Sequence, residues 1–149
     1  MKEKPTNELD ELLDSTNPKE LGKYLKDNKD YMANEKKAFY YYFKDVIDDK
    51  NLKLKDVYSF AGMTESYGGQ VIRMEKHCAN RDTIIKLCIA GHFSWDEINR
   101  ALKLYGYNEL YSKNSRDACI IIAIKNRIFD FSKINDMLEE QNLDKLYEE

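Results

Sequence analysis

Apolar residues recur along the chain at the spacing of amphipathic helices. In the segment 36–49 they stand at positions i, i+4, i+7 and i+8, which is the spacing of one buried helical face: Phe39, Phe43, Val46 and Ile47. Signals for strands are scarce, because the 149 residues include only 6 glycines and 2 prolines and few hairpin-turn dipeptides. The pattern therefore predicts an all-α protein.

The N-terminal segment 1–35 is predicted to form a helical arm. Its stretch 8–14 has the composition of a short helix, and Asn17 followed by Pro18 is typical of a helix start. Helix is expected to continue through 21–32. The arm carries 9 acidic and 6 basic side chains, so it is the more acidic end of the predicted domain.

The segment after residue 54 predicts a pair of short helices. The first spans 55–61 and is expected to turn three apolar residues inward: Val57, Phe60 and Ala61. Gly62 stands where a helix end favours the left-handed conformation, and Thr64 can cap a second helix over about 65–73. Two short helices joined by a glycine-containing turn form the helix-turn-helix pattern. Bundles of short helices also produce this spacing, so the pattern alone does not establish a function.

The last part of the chain repeats itself. Residues 81–111 align with 116–147 at an offset of 35 that becomes 36, through three shared dipeptides: Arg-Asp at 81 and 116, Ile-Asn at 98 and 134, and Leu-Tyr at 110 and 146. Each unit predicts an aliphatic helix, a turn with a serine cap (Ser94 or Ser132) and an amphipathic helix. Such a period is typical of helical hairpin repeats, but two copies are too few for a solenoid. We expect one duplicated hairpin, 112–149, added to a helical domain.

The charge is unevenly distributed along the chain. The net charge is −3, whereas residues 36–111 hold 12 basic and 10 acidic side chains. Arg73, Lys76 and Arg81 form a short basic cluster within this middle segment. Such a cluster can bind phosphate, because phosphate attraction acts over only about 10 Å, or it can be an ordinary solvated face. The distribution permits nucleic-acid binding without requiring it.

The composition argues against secretion, membrane insertion and catalysis. Three cysteines without framework spacing are typical of reduced thiols in the cytoplasm. The longest strongly apolar run, 119–124, is far shorter than the roughly 20 residues of a membrane span. No nucleotide-binding, protease or kinase motif is present, so we expect no enzyme activity and no cofactor. Cys88 and His92 lack the further ligands of a zinc site, so we expect no metal.

The helix predicted within 117–128 is apolar on every side. Isoleucines at 120, 121, 122 and 124 point in all directions, and such a helix must be buried between other helices or between subunits. We therefore expect that the C-terminal helices can form a homodimer.

From about Ala38 to Leu104 the chain resembles the Cro/repressor-type helix-turn-helix domain of the XRE family. The resemblance is carried by the two short helices, by the segment NRDTIIKLCIAGHFSWDEINRAL at 80–102, and by SYG at 66–68. Together with the terminal LY, these features are similar to a subgroup of transcriptional regulators from Gram-positive bacteria. The resemblance implies a five-helix Cro/repressor-like domain over 36–111 that binds double-stranded DNA in a sequence-specific way.

The resemblance also implies which residues contact DNA. The helix of about 65–73 would lie in the major groove. Its candidate contacts are Thr64, Glu65, Ser66, Tyr67, Gly69 and Gln70, of which Gln70 has the groups to pair with adenine. The candidate phosphate ligands are Lys55, Arg73, Lys76 and Arg81.

Three departures from the family pattern support a second hypothesis. Glu65 stands where many members carry a neutral residue, Gly68 and Gly69 interrupt the recognition helix, and the loop 74–80 lacks the usual glycine and proline. The glycine pair suits close approach either to another helix or to the DNA backbone. The alternative function is a non-enzymatic adaptor that binds a protein partner on a helix-turn-helix fold that no longer reads DNA.

Overall fold

The computed structural model describes residues 35–75 and 80–146, and these residues form seven α-helices and no β-strand. The helices are α1 (Glu35–Asp49), α2 (Leu54–Phe60), α3 (Glu65–Ile72), α4 (Arg81–Ala90), α5 (Trp95–Tyr105), α6 (Ser115–Lys125) and α7 (Phe131–Glu140). The all-α prediction is confirmed for this part of the chain. Residues 1–34 of the predicted N-terminal arm and Lys76 lie outside the described residues, and Glu35 begins α1.

The apolar stripe predicted on α1 is confirmed. Phe39, Phe43 and Ile47 have no exposed surface, and Val46 is 6% exposed. The Phe43 ring packs at 5.0 Å from the Phe93 ring, between ring centres, which anchors α1 beside the turn between α4 and α5. The helix also packs against α3 and α5, so it closes one side of the core.

The prediction that Phe60 faces inward is wrong. Phe60 is 71% exposed, and Tyr58 is buried in its place. At 100° per residue Val57, Tyr58 and Ala61 share one face of α2, and Phe60 lies well outside that face. Phe60 is thus an apolar residue beside the buried stripe of α2 and does not belong to it.

All seven helices of the described residues end in the same way. Each is closed by a residue with positive φ, and only two of these residues are glycine: Asn51, Gly62, Met74, His92, Gly106, Arg127 and Asn142. The next N–H then donates to a carbonyl five residues back, as Met63 does to Tyr58 at 2.8 Å. This is the Schellman motif, which satisfies helix-end carbonyls and allows short connections.

The duplicated hairpin predicted from the sequence is present as α4–α5 and α6–α7. In the first unit Oδ1 of Asn99 accepts a hydrogen bond from the N–H of Leu110 at 2.9 Å. In the second, Oδ1 of Asn135 accepts from the N–H of Leu146 at 2.9 Å. The Ile-Asn and Leu-Tyr dipeptides that the two units share therefore have the same structural role in both units. In each unit the asparagine side chain ties the C-terminal tail of the unit to the second helix of that unit.

The cap predicted for α5 is confirmed, but the one predicted for α7 is wrong. Ser94 and Glu97 form a complete capping box at the start of α5. The N-cap of α7 is Asp130, whose carboxylate accepts from the N–H of Ser132 at 2.8 Å. Ser132 is the second residue of the helix, two positions after this cap.

Helix α6 is buried on most but not all of its surface. Ile120, Ile121 and Ile124 are at most 6% exposed, and helices of the same chain, α5 and α7, pack against α6. Ile122 is 55% exposed, so helices of the same chain do not bury this side of α6. None of the described helices is long and apolar enough to cross a membrane.

Candidate nucleic-acid interface

Helix α3 begins as the sequence predicts. Gly62 adopts φ +76°, and the side chain of Thr64 accepts a hydrogen bond from the N–H of Tyr67 at 3.1 Å. This cap satisfies one of the free N–H groups at the helix start. Regular helix ends at Ile72, and Arg73 is the C-cap residue. The boundaries therefore agree with the predicted 65–73 to within one residue.

The inner side of α3 is fixed against two other helices. Val71 and Ile72 are buried in the core. A Cβ atom on Gly68 would lie 2.4 Å from Cδ1 of Tyr58, so glycine is required for α3 to approach α2 this closely. The hydroxyl of Tyr105 donates to the carbonyl of Val71 at 2.8 Å, which ties the end of α3 to α5. Helix α3 is therefore held from behind by direct contacts.

Tyr58 occupies the contact between α2 and α3 as a neutral phenol. It is 5% exposed, and burial raises its pKa to about 12, with a partly opposing effect of Arg73. A neutral ring fits a helix–helix contact because no charge has to be desolvated. The glycine pair was expected to allow close approach either to another helix or to the DNA backbone. At Gly68 it allows close approach to helix α2.

The outer side of α3 presents polar groups to solvent. Thr64, Glu65 and Ser66 are exposed at its first turn, and Tyr67 and Gln70 are half-buried. Gly69 is buried, because the guanidinium of Arg73 covers it: a Cβ atom at residue 69 would lie 2.9 Å from Nη1. Gly69, one of the candidate DNA contacts, is therefore covered by the Arg73 side chain in this structure.

Arg73 is exposed but engaged in an ion pair. Its Nε donates to Oε1 of Glu75 at 2.8 Å, and its Nη2 donates to Oε2 at 3.3 Å. This hydrogen-bonded pair raises the pKa of Arg73 and lowers the pKa of Glu75. About half of each side chain is exposed, so water can replace Glu75 at little cost. The sequence analysis does not predict this role of Glu75. Its position two residues after Arg73 could have indicated an ion pair between the two side chains.

Arg81 does not join Arg73 in a basic cluster. Its Nη1 and Nη2 donate to the two carboxylate oxygens of Asp117 at 2.9 and 3.0 Å. Its Nε and Nη2 also donate to the carbonyls of Asn108 and Glu109. Four hydrogen bonds to its own chain leave little capacity for phosphate. Arg81 therefore has a structural role in this fold, which corrects the expectation that it binds phosphate.

Lys55 is exposed on α2, as a phosphate ligand must be. With Lys76 outside the described residues, Lys55 and Arg73 are the phosphate ligands predicted from the sequence that the structure shows exposed. Lys53, the N-cap residue of α2, is also exposed and was not predicted. Its position immediately before α2, two residues from Lys55, could have identified Lys53 as a candidate phosphate ligand from the sequence.

The turn between α2 and α3 is not unique to this pair of helices. His92, Phe93 and Ser94 connect α4 to α5 with the same sequence of a positive-φ residue, an apolar residue and a hydroxyl cap. The turn is therefore a general connector in this fold. What distinguishes α3 is its exposed polar first turn together with its fixed inner side.

The buried thiols and the acidic residues do not form another site in the described residues. Burial raises the pKa of Cys88 well above its ordinary value, and it also raises the pKa of Cys119. No group of three or more His, Cys, Asp or Glu side chains within 35–75 and 80–146 could hold a metal ion. Comparisons of the chain with known protein families, with curated proteins and with solved structures returned no match.

Proposed function

We propose that the protein is a sequence-specific DNA-binding transcriptional regulator similar to the XRE family, with α3 as its recognition helix. The observation that carries this proposal is the two-sided character of α3. Its inner side is locked by Gly68 against Tyr58 and by Tyr105, while Thr64, Glu65 and Ser66 stand exposed at its first turn. A helix that reads bases needs such a rigid support and a free N-terminal end.

The dimensions and chemistry of α3 fit the major groove. An α-helix with its side chains is about 10–12 Å in diameter and fits a major groove about 12 Å wide, and the 8 residues of α3 extend for about 12 Å. Ser66 and Gln70 can donate to and accept from base edges, and Glu65 can accept from the amino group of cytosine. The hydroxyl of Thr64 accepts within the cap but can still donate to a phosphate oxygen. Tyr67 adds an apolar ring edge for contact with a thymine methyl group.

Phosphate contacts would anchor the two flanks of α3. Lys55 lies in the first turn of α2 and Arg73 is the C-cap residue of α3, and both are exposed. Lys76, the third residue proposed from the sequence for phosphate binding, lies outside the described residues. Arg73 would exchange Glu75 for a phosphate oxygen on binding. Because both side chains of that pair are exposed, the exchange is compatible with the fold. The regulator would act by covering a promoter or by recruiting polymerase to it.

Exposed Ile122 supports a homodimer through the C-terminal helices. A two-fold dimer would present two copies of α3, and a palindromic operator would fit if they were about 34 Å apart.

Selection of sheared genomic fragments by the purified full-length protein tests the proposal. Enriched fragments should share a motif, and Gln70→Ala should relax one base position of that motif by about 1–3 kcal/mol of discrimination. Gln141→Ala is the matched control, since Gln141 is the other glutamine of the chain and is exposed beyond α7. If no fragment is enriched above weak, salt-sensitive binding, the proposal fails.

A protein-interaction adaptor is the second candidate function. Two observations favour it: Phe60 exposes 71% of its surface beside the helix-turn-helix turn, and Glu75 neutralises Arg73. Large exposed aromatic residues are typical of protein contacts. In that case Phe60→Ser should abolish capture of the partner while leaving the fold intact, and Tyr111→Ser, another exposed aromatic residue, should have no effect.

A further inference from the structure

The two hairpins of the repeat meet through reciprocal contacts. Nη1 and Nη2 of Arg81, at the start of α4, donate to the carboxylate of Asp117, at the start of α6. Nη1 and Nη2 of Arg116 donate in turn to the carboxylate of Asp82 at 2.8 and 2.7 Å. The same dipeptide of each hairpin thus contacts the equivalent dipeptide of the other. This is the arrangement of a two-fold contact between identical subunits.

The second hairpin, residues 115–146, is held together by contacts of its own. Nε and Nη2 of Arg116 donate to the carbonyls of residues 144 and 145 at 2.7 and 2.9 Å. Oδ1 of Asn135 accepts from the N–H of Leu146 at 2.9 Å. These bonds tie the tail of the hairpin to both of its helices, so the hairpin can move as one body without breaking them.

A short exposed segment, residues 111–114, connects the two hairpins. All four of its residues are exposed, and Tyr111 exposes 57% of its surface. The N–H of Asn114 donates to the carbonyl of Tyr111 at 2.9 Å, which is the hydrogen bond of a tight turn. The direction of the chain between the hairpins depends on this turn. Because the segment is not buried in the core, it can extend without uncovering an apolar surface.

We propose that the protein forms a homodimer by domain swapping, in which the second hairpin of each copy packs on the first hairpin of the other copy. The segment 111–114 is extended in this dimer and connects the two halves. Arg81 of one copy pairs with Asp117 of the other copy, and the other contacts between the hairpins are formed again in the same way. The proposal does not depend on DNA binding or on contacts of Ile122.

The length of the segment determines when swapping competes with the closed monomer. A short linker gives the two hairpins of one copy an effective concentration in the millimolar range. Swapped dimer and closed monomer should therefore be present in comparable amounts at about 1 mM protein, and the dimer should fall to a few per cent or less at about 10 μM. A segment too short to close removes the competing monomer and favours the dimer at both concentrations.

Deletion of Ser112 and Lys113 from the full-length protein tests the proposal. Tyr111 is then followed directly by Asn114, the N-cap residue of α6, so the four-residue turn cannot form. All proteins compared carry Ile122→Ser, which removes the exposed isoleucine as another dimer contact. We expect the deletion protein to be a dimer at about 10 μM in analytical ultracentrifugation, with the helical circular dichroism of the parent. Replacement of Ser112 and Lys113 by glycines retains the turn length and should give a monomer.

Two charge variants of the deletion protein identify the contact in the dimer. Asp82→Lys and Arg116→Glu each place like charges where the hairpins meet, so each should weaken its own homodimer. In an equimolar mixture, one contact of a swapped heterodimer regains the native pair and the other has the reversed pair. A tenfold preference for this heterodimer raises its share from about one half to about nine tenths, which native mass spectrometry measures.

Two outcomes would overturn the proposal. The first is a deletion protein that forms no discrete dimer at about 10 μM, because the second hairpin then does not pack on another copy. The second is a heterodimer share of about one half in the mixture, because the dimer is then formed without the arginine–aspartate pairs. Neither measurement includes DNA, so failure of this proposal is distinguishable from failure of the function proposed for α3.

Discussion

Arg81 and Asp117 form a bidentate ion pair that joins the start of α4 to the start of α6, with N–O distances of 2.9 and 3.0 Å. The relationship is reciprocal, because Arg116 pairs with Asp82 at 2.8 and 2.7 Å. Each Arg-Asp dipeptide of the repeat thus donates its arginine to the aspartate of the other unit. Each arginine also binds two carbonyls in the tail of its own unit. The exchange fixes the C-terminal hairpin to the preceding helices.

Asp117→Asn should destabilise the protein, because it removes the charged acceptor and leaves Arg81 without its counter-ion. The side chain of Asp117 is 7% exposed and that of Arg81 is 25% exposed, so solvent compensates only in part. We expect a loss of about 1–3 kcal/mol in the free energy of unfolding, measured by urea denaturation. Asp136→Asn on the exposed side of α7 should change it by less than about 0.5 kcal/mol. Equal effects of the two variants would refute the role of the pair.

The same pair should make stability depend on pH in the acidic range. Burial acts to raise the pKa of Asp117, but the hydrogen bonds from Arg81 and from the N–H of Tyr111 outweigh it, so the pKa lies below its ordinary value. A lowered pKa in the folded state stabilises the fold above the unfolded-state pKa, and this contribution is lost as the pH falls below about 4.

Urea denaturation of the parent and of Asp117→Asn between pH 7 and pH 3 measures this effect. The difference between the two proteins should be constant above about pH 5 and should shrink below about pH 4. Parallel curves through the acidic range would show that Asp117 does not contribute as a carboxylate.

Local features of this fold could be predicted from sequence, whereas long-range pairings could not. The buried stripe of α1, the left-handed Gly62 and the Thr64 cap depend on residues within one or two turns, and all three are confirmed. The closeness of Arg81 and Arg73 in sequence predicts a basic cluster, which the structure does not form. The partner of Arg81 is Asp117, which lies 36 residues away, and nothing local indicates the pairing.

The repeat contained signals that could have corrected two of the errors. The Arg-Asp dipeptide occurs once in each unit, and such duplication of opposite charges is compatible with an exchange between units. The offset of 36 that aligns Ile98 with Ile134 also aligns Ser94 with Asp130, which is the observed cap. The exposure of Phe60 had no such signal, because it depends on which face of α2 the other helices cover.

The two adjacent glycines of α3 should respond in opposite ways to the same substitution. Gly68→Ala places a Cβ atom 2.4 Å from the ring of Tyr58 and should cost about 1–3 kcal/mol of unfolding free energy. At residue 69 the Cβ atom would meet only the end of the long, exposed Arg73 side chain at 2.9 Å, which can shift at little cost. Gly69→Ala should therefore be neutral or stabilise the helix by up to about 1 kcal/mol.

Thermal or urea unfolding of the two single variants provides the comparison, and each serves as the control of the other. If Gly68→Ala is as stable as Gly69→Ala, the close contact between α2 and α3 does not exist in solution. The contact between Gly68 and Tyr58 would then no longer support the proposal that α3 is a rigidly held recognition helix.

The salt dependence of DNA binding by Glu75→Gln and Arg73→Ala tests the role of α3 most directly, on a genomic fragment enriched by the parent protein. Glu75→Gln removes the internal competitor of Arg73, so binding should tighten, while Arg73→Ala should weaken binding to all sequences and reduce the slope of log K against log salt by about one. Lys133→Ala, a change of an exposed lysine on α7, is the control and should match the parent. If both variants bind as the parent does, with the same slope, Arg73 does not contact phosphate and α3 does not lie in the groove as proposed.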